Sequence, residues 1–585
     1  MKRKLKIEKL FFCIIYLVFL ISPALAQLQL DKQNSGFINS IDEQVFLFTD
    51  RDFYLSGEEV WFTAFAVFNN TSEDYDLSKV IYLELFDLSK KKFYTGKFEI
   101  NGGNASGSFQ IPEEIATGTY YIRVYTQYQR NYSPATFATK QITIVNPEYT
   151  ISEQETSTII EIKERKDLKP SPSDQGNEIV IKFQADKTIY GRREPVELNL
   201  QWSSETTQDL DNVCVSVIRK GTMRQAIKNN ASTTEKVNSL ELGAVNLFWI
   251  PETRGVSISG IVSELRSSEP LADIPVYLSV LGDQPQMHIA QTRANGSFIF
   301  SLGYISGSQE IFIGVEPDGE REVQLLVNND FSNDFTHLQS MPHQIGSSYK
   351  ALIEEMLVNH QAKRIFTPVE THYINHTQAG IEIFGNPDVS VYLTDYIDLP
   401  NLETVFFEVV HSAMVRDKDG ERKLYVVNPE TNKVFSNRLL LLDHVPVFNF
   451  EAILNIPPAK IENIDVINHT HYLGDNVLKS VVMMNTYAGD FAGYFFPEGS
   501  IFLEYQTITP SHVFHSPVYE TQSKKDSRLP DFRTTLYWNP KISLSGNEVS
   551  VKFYTSDNSG EYDVIVRGVT KSGEVCFGQT SIEIK

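Results

Sequence analysis

Cysteine is scarce: three in 585 residues, Cys13, Cys214 and Cys576. No Cys-x-x-Cys pair or zinc spacing occurs, so neither a disulfide framework nor a zinc site holds the fold together. Cys214 in "NVCVSV" and Cys576 in "EVCFGQ" sit in strand-like runs and read as buried thiols. Positive charge is also short. Lys and Arg number 52 against 74 Asp and Glu, a formal net charge of -22 with a pI near 5.1. Such a chain repels phosphate backbones and anionic membrane surfaces, which excludes nucleic acid as a natural partner.

Long apolar runs are missing beyond the first 26 residues. The N-terminus reads "MKRKLKIEKL" and then "FFCIIYLVFLISPALAQ". A basic start, an apolar stretch and the small-residue end Ala24-Leu25-Ala26 predict a secretory signal over residues 1–26, cleaved before Gln27. The stretch is short for a membrane span, which needs about 20 apolar residues. Cys13, preceded by Phe11 and Phe12, makes a poor lipid-attachment site. The chain is expected to be exported.

Catalytic signatures are absent as well. No phosphate-binding loop, dinucleotide fingerprint, GxSxG or HExxH occurs in a fitting context. His372 and His376 lie four apart in "THYINH", and His469 and His471 two apart in "HTHY". Either spacing suits metal ligation on a helix or a strand. No acidic partner stands at a known distance, so these are read as surface or packing histidines. "RDKDGERK" reads as a hairpin turn at Asp419-Gly420 rather than a calcium loop, and "GGNASG" as a hairpin glycine cluster. No catalytic, cofactor-binding or metal-binding residue is assigned, and no cofactor is expected. A dispersed catalytic pair would leave no such mark.

What the chain has in quantity is strands. "VIYLELFDL", "GTYYIRVYTQY", "PVELNLQW" and "VSVKFYTSD" are rich in Val, Ile, Tyr and Phe and alternate apolar with polar residues. Gly, Asn, Asp and Pro separate them, which predicts antiparallel β-sandwiches. One clear helical run appears, "SSYKALIEEMLVNHQAK", with Ser347 or Ser348 as cap and Leu352, Met356 and Leu357 on one face.

The stretch "FTDRDFYLSGEEVWFTAFA" (residues 48–66) gathers Asp50, Arg51, Asp52, Glu58 and Glu59 around a turn at Gly57. Trp61, Phe62 and Phe65 then alternate along a strand. With "LSKVIYLELFD", "GGNASGSFQIP" and "GTYYIRVYTQY" it resembles a macroglobulin-type domain of the alpha-2-macroglobulin family. There Tyr54, Gly57 and Glu58 would mark the corner entering a sandwich, and the five charges would be scaffolding. Asp186, Tyr190, Glu194 and Val196 echo Asp52, Tyr54, Glu58 and Val60 with altered gaps, which predicts a second such module. Neither remaining cysteine stands in the Gly-Cys-Gly-Glu-Gln context of that family's thioester, so no covalent thioester substrate is expected.

Further on, Gly260, Val262, Pro275, Val276, Thr292, Gly296 and Phe298 resemble a carboxypeptidase-regulatory-like β-domain, non-catalytic in its family. "LLLLDHVPVFNF", with Leu442-Asp443 and Val445-Pro446, then "IENI" at 461–464, Gly474 and 481–486, resemble the plug domain of TonB-dependent outer-membrane receptors, in the form common in Bacteroidota. His444 stands where that family usually has Gly, and no barrel is expected in the ninety or so residues that follow.

The resulting expectation is a mostly β chain of tandem macroglobulin- or Ig-like sandwiches with one α+β plug-like domain. Its divisions are the signal 1–26, a macroglobulin-type sandwich 27–147, a charged Pro/Ser-rich linker 148–178 and a second sandwich 179–252. A carboxypeptidase-regulatory-like domain 253–345, a helix plus plug-like domain 346–495 and a C-terminal sandwich 496–585 complete it. The resemblance implies a non-enzymatic accessory protein. It would dock on an outer-membrane β-barrel complex, either a TonB-dependent (SusC-type) uptake receptor or the barrel-assembly machinery. The alternative is a stand-alone adhesin or a non-covalent protease-binding protein.

Overall fold

The structure, a computed structural model, describes residues 42–69, 77–148, 181–202, 210, 212–223, 248–282, 284–303, 305–316, 321–335, 349–366, 373–374, 384–418, 420–436, 439–473, 476–544 and 548–585. Strands in antiparallel sheets dominate it, as the alternating pattern predicts. The chain divides into two compact units. Unit one takes residues up to Thr253, then Asn333–Tyr373 and Ser511–Lys585; unit two takes Arg254–Ser332 and Ile374–Pro510.

The first sandwich of unit one has strands β1 (Asp42–Thr49), β2 (Phe53–Leu55), β3 (Glu59–Asn69), β4 (Val80–Asp87), β5 (Lys92–Glu99), β6 (Asn104–Gln110), β7 (Gly118–Thr126) and β8 (Ala138–Val145). They form one sheet in the order β1-β3-β6 and a second in the order β2-β8-β7-β4-β5. Alternation along β3 sorts its side chains. Val60, Phe62 and Ala64 enter the sandwich core with Leu83, Phe98 and Ile122, while Trp61 and Phe65 leave on the opposite face. At the close approach of β6 to Phe98, Gly107 is required, because a Cβ there would lie 2.7 Å from the ring.

The second sandwich departs from the expected divisions. Strands Lys182–Ala185, Pro195–Gln201 and Glu548–Tyr554 make its small sheet. Strands Ile189–Tyr190, Val575–Ile584, Gly560–Val569, Asn212–Arg219 and Thr535–Ser543 make its large one, in that order. Taken in chain order, these eight strands reproduce the pairing of β1–β8 position for position, including the short parallel pair, Phe53↔Thr143 in the first and Ile189↔Glu583 in the second. Residues 179–252 and the C-terminal stretch of 496–585 are therefore two halves of one sandwich, not two sandwiches. The insertion between them, residues 220–534, stands where the first sandwich has only the tight connection from β4 to β5. Both halves carry the alternation of a half-buried strand, and alternation does not name a partner.

The helix Lys350–Phe366, grouped above with the plug-like region, belongs to unit one. Its Leu352, Ile353, Met356 and Leu357 pack on Phe53, Leu55 and Val145 of the first sandwich, and Tyr349 stacks on Phe53. Glu355 pairs with Arg219 of the second sandwich at 2.9 Å, so this helix braces both.

Unit two contains a sandwich of two sheets. One holds Ser297–Ser301, Ser257–Glu264 and Val323–Val327; the other holds Gln286–Gln291, Pro275–Val280, Ser308–Val315 and the distant strand Ser500–Gln506. Its α+β part is a five-stranded sheet in the order Val389–Tyr392, Ile461–Ile467, Val481–Thr486, Leu440–Leu442 and Val445–Pro446. Helices Leu402–Glu408 and Phe450–Leu454 pack on it, each opened by an Asn whose side chain accepts a backbone N–H. The predicted signal, most of the linker 148–178, His372, His376, Asp419 and Gly474 lie outside the described residues.

Candidate functional site

The charged corner at 50–61 is built by one repeated arrangement of side chains. The Tyr54 hydroxyl lies 2.8 Å from Asp50 Oδ1 and 2.8 Å from the Arg51 carbonyl oxygen, and it accepts from the Arg51 N–H. Asp50 Oδ1 also accepts the Trp61 N–H, and Glu58 Oε2 the Leu55 N–H at 2.8 Å. Arg51 bridges the two carboxylates, at 3.1 Å from Asp50 and 3.2 Å from Glu58. Gly57, at φ 78°, supplies the left-handed residue of the turn.

The second sandwich repeats this at one constant offset: Asp186 for Asp50, Lys187 for Arg51, Tyr190 for Tyr54, Glu194 for Glu58 and Val196 for Val60. Tyr190 OH lies 2.7 Å from Asp186 Oδ1 and 2.8 Å from the Lys187 carbonyl, Glu197 N–H donates to Asp186, and Lys187 pairs with Glu194. The gaps are thus unaltered, and the counterpart of Asp186 is Asp50 rather than Asp52. Arg193 takes the place of Gly57, at φ 52°. Its strain is offset by its side chain. The guanidinium pairs with Asp557 at 2.6 Å and donates to the carbonyls of Lys525 (3.0 Å), Ser527 (2.8 Å) and Leu529 (2.6 Å).

The two corners differ in setting. The copy is solvated, with Lys187 half exposed. In the first, Asp50 is 0% and Arg51 4% exposed, because that corner lies where the two sandwiches meet. Thr535 Oγ1 donates to Asp50 Oδ2 at 2.7 Å, Arg567 Nη2 donates to the Thr49 carbonyl at 2.8 Å, and the Asp52 and Phe53 N–H groups reach the Thr222 carbonyl. Around this bonding, Phe46, Phe48, Phe65 and Val67 pack against Cys214, Trp538 and Val569.

Three carboxylates, Asp50, Asp52 and Glu58, share the joint with three cations, Arg51, Lys140 and Arg567. Burial works against the charge of Arg51, and Glu58 and Asp50 more than compensate, holding its pKa up. Lys140 is pushed down to about 8 by burial and then by Arg567, with Asp52 and Asp50 opposing. Glu59 accepts from Ser108 Oγ at 2.6 Å, and its Oε1 lies 2.9 Å from His512 Nδ1. All five charges of the opening stretch are thus engaged within unit one. The arrangement can fix two sandwiches to each other. Thr535, Arg567 and Lys140 carried no local signal in the sequence, whereas Arg193 is visible once the constant offset is seen.

The remaining candidates are dispersed. His469 Nδ1 lies 2.8 Å from Asp388 Oδ2, and the His471 ring meets Phe384 edge-on. Among the described residues no three His, Cys, Asp or Glu side chains are grouped as metal ligands. Cys214 and Cys576 are buried free thiols. In unit two, Asp443 and His444 sit at φ 47° and 67° in the turn between Leu440–Leu442 and Val445–Pro446, the conformation a glycine would favour. Asp443 then accepts from Thr486 N–H and Oγ1, both at 2.7 Å, and from Phe491 N–H at 2.9 Å.

The trypsin-activated alpha-2-macroglobulin of Escherichia coli aligns at 11% identity and a TM-score of 0.22, over 93% of this chain and 41% of its own. The methylamine-reacted alpha-2-macroglobulin of Salmonella aligns at 10% identity and a TM-score of 0.21, over 93% and 39%. The Escherichia coli protein activated by porcine elastase aligns at 8% identity and a TM-score of 0.23, over 93% and 44%. The chain thus spans about two fifths of the length of these structures. No curated protein matches it. Residues 44–139, nearly the whole first sandwich, match the family model of the MG2 domain, the macroglobulin domain.

Proposed function

We propose that this chain is an exported, non-enzymatic scaffold that binds other proteins through macroglobulin-type sandwiches. The observation that carries the reading is the MG2 match over 44–139, extended by a second sandwich of identical strand order. Sandwiches joined by a buried, charge-balanced contact present fixed sheet edges and loops, the surfaces on which strand-pairing partners dock. The partner we propose is an outer-membrane β-barrel complex, on the resemblance of the region around Asp443 to a receptor plug. The left-handed Asp443-His444 turn supports that resemblance. The apolar stretches "LLLLDHVPVFNF" and "SVVMMN" need no outside cover, because Leu439, Leu441, Val481 and Ile467 pack on Tyr277 and Met287 within unit two. A protease bound non-covalently, or a surface ligand, is the alternative.

Affinity purification after gentle cross-linking and detergent extraction, read by mass spectrometry, tests this. Stoichiometric recovery of a barrel protein, lost on deletion of 384–494, supports the docking reading. Recovery of the chain alone from a soluble fraction contradicts it, and capture of a protease moves the reading to the alternative.

A further inference from the structure

In unit two the strand Val389–Tyr392 ends its sheet. It pairs with Ile461–Ile467 on one side, and among the described residues nothing pairs with the other. Val391 turns inward, buried, while Ser390 and Tyr392 are exposed on the opposite face. The chain then passes through a short 3-10 turn, Leu393–Asp395, into Tyr396-Ile397-Asp398. Tyr392, Tyr396 and Ile397 are 48%, 49% and 84% exposed, a large apolar content for a segment beside an edge that is unpaired among the described residues.

Charge accompanies it. From Phe384 to Val415 the sequence has Asp388, Asp395, Asp398, Glu403 and Glu408 and no Lys or Arg. Asp388 is taken up by His469, and Glu403 by Arg422. Asp395 and Asp398, both exposed, have no ion pair among the described residues.

We propose that this edge is a docking strip for an extended, basic segment of a partner protein, which adds as a strand beside Val389–Tyr392. The backbone edge supplies hydrogen bonds, Tyr392, Tyr396 and Ile397 supply apolar contact, and Asp395 and Asp398 select Lys or Arg on the incoming strand. An anionic membrane is repelled by the same charges. The inference deepens the protein-binding reading above and rests on it.

The test uses the full chain and three labelled peptides of equal length: alternating Lys-Val, alternating Glu-Val, and the Lys-Val peptide interrupted by Pro. The wild type binds the first, weakens as salt is raised, and discriminates against the other two. The double variant Asp395→Lys/Asp398→Lys, two exposed positions that leave the fold unchanged, loses about tenfold in affinity for the basic peptide and gains the acidic one. Tyr396→Ser/Ile397→Ser weakens both. Equal binding of all three peptides, no binding of the basic peptide, or indifference to the charge reversal would overturn the proposal. So would self-association of the wild type abolished by Ile397→Ser, which would make the strip a contact between copies. If the charge-reversed protein loses the peptide yet captures the same cellular partners, the strip is not their site, while the protein-binding reading stands.

Discussion

Arg51 and Lys187 occupy equivalent places and carry the same charge, yet their surroundings set very different consequences. Arg51 is enclosed with Asp50 and Glu58 at a buried joint. Removing it leaves two carboxylates without their cation, a loss of about 3–5 kcal/mol for a buried pair. Arg51→Ala is therefore expected to lower the denaturation midpoint of unit one sharply, by calorimetry or urea titration. Lys187→Ala leaves it unchanged, since its ion pair lies in water. Glu43 gives a pH signature. Burial pushes its carboxyl up to about 7, against the hydrogen bonds it accepts from Thr126 and Ser78. A folded pKa above the unfolded value means that the native state holds this proton more tightly. The stabilising contribution is present below the ordinary carboxylate range and is lost as pH rises through about 7. The melting temperature of Glu43→Gln should therefore gain on that of the wild type between pH 5 and pH 8. A constant difference across that range would show that Glu43 does not titrate there.

At the scale of elements, Arg193 acts through a turn. Its guanidinium donates to the carbonyls of Lys524, Lys525, Ser527 and Leu529, at and just after the end of the short helix Gln522–Lys525, and Asp531 N–H joins the same Asp557. That segment displays Lys524, Lys525 and Arg528 to solvent, but a protease requires extended backbone. Arg193→Gly relieves the left-handed backbone and removes the clamp, so limited trypsin digestion should cut at 524–528 several-fold faster than in the wild type. An unchanged rate would show that the clamp does not hold the turn. Much of this level was legible beforehand: the strands, the Tyr-centred corner, its repeat and the helix Lys350–Phe366, though not the short helices Leu402–Glu408 and Phe450–Leu454. What failed has a physical cause. Asp52 and Asp186 both precede a Tyr, which makes them look equivalent, but the bonding that matters runs from Asp50 across the turn to the Tyr54 hydroxyl and the Trp61 N–H. The five charges all have partners within unit one. Their role in joining two sandwiches was not readable, since Thr535 and Arg567 arrive from the far end of the chain.

For the whole molecule, the interrupted sandwich matters most. Within unit one, residues outside the strands also pack on the first sandwich. Glu252 accepts from Tyr82 OH at 2.9 Å, Trp249 lies under Arg130, and Arg123 donates to the Asp334 carbonyl at 2.6 Å. An insertion at a hairpin position leaves the core strands on either side free to pair, so two compact units can form on one chain without disturbing either fold. Closing the second sandwich requires strands separated by residues 220–534, a non-local pairing that folds slowly, and the C-terminal half is indispensable to it. Hydrogen exchange on a chain truncated after Pro530 tests this most directly. Amides of Pro195–Gln201 and Asn212–Arg219, protected in the full chain, should exchange at unfolded rates once the C-terminal strands are gone, while β3 and β7 of the first sandwich keep their protection. Retained protection in 195–219 would contradict it, and would make residues 179–252 a sandwich in their own right.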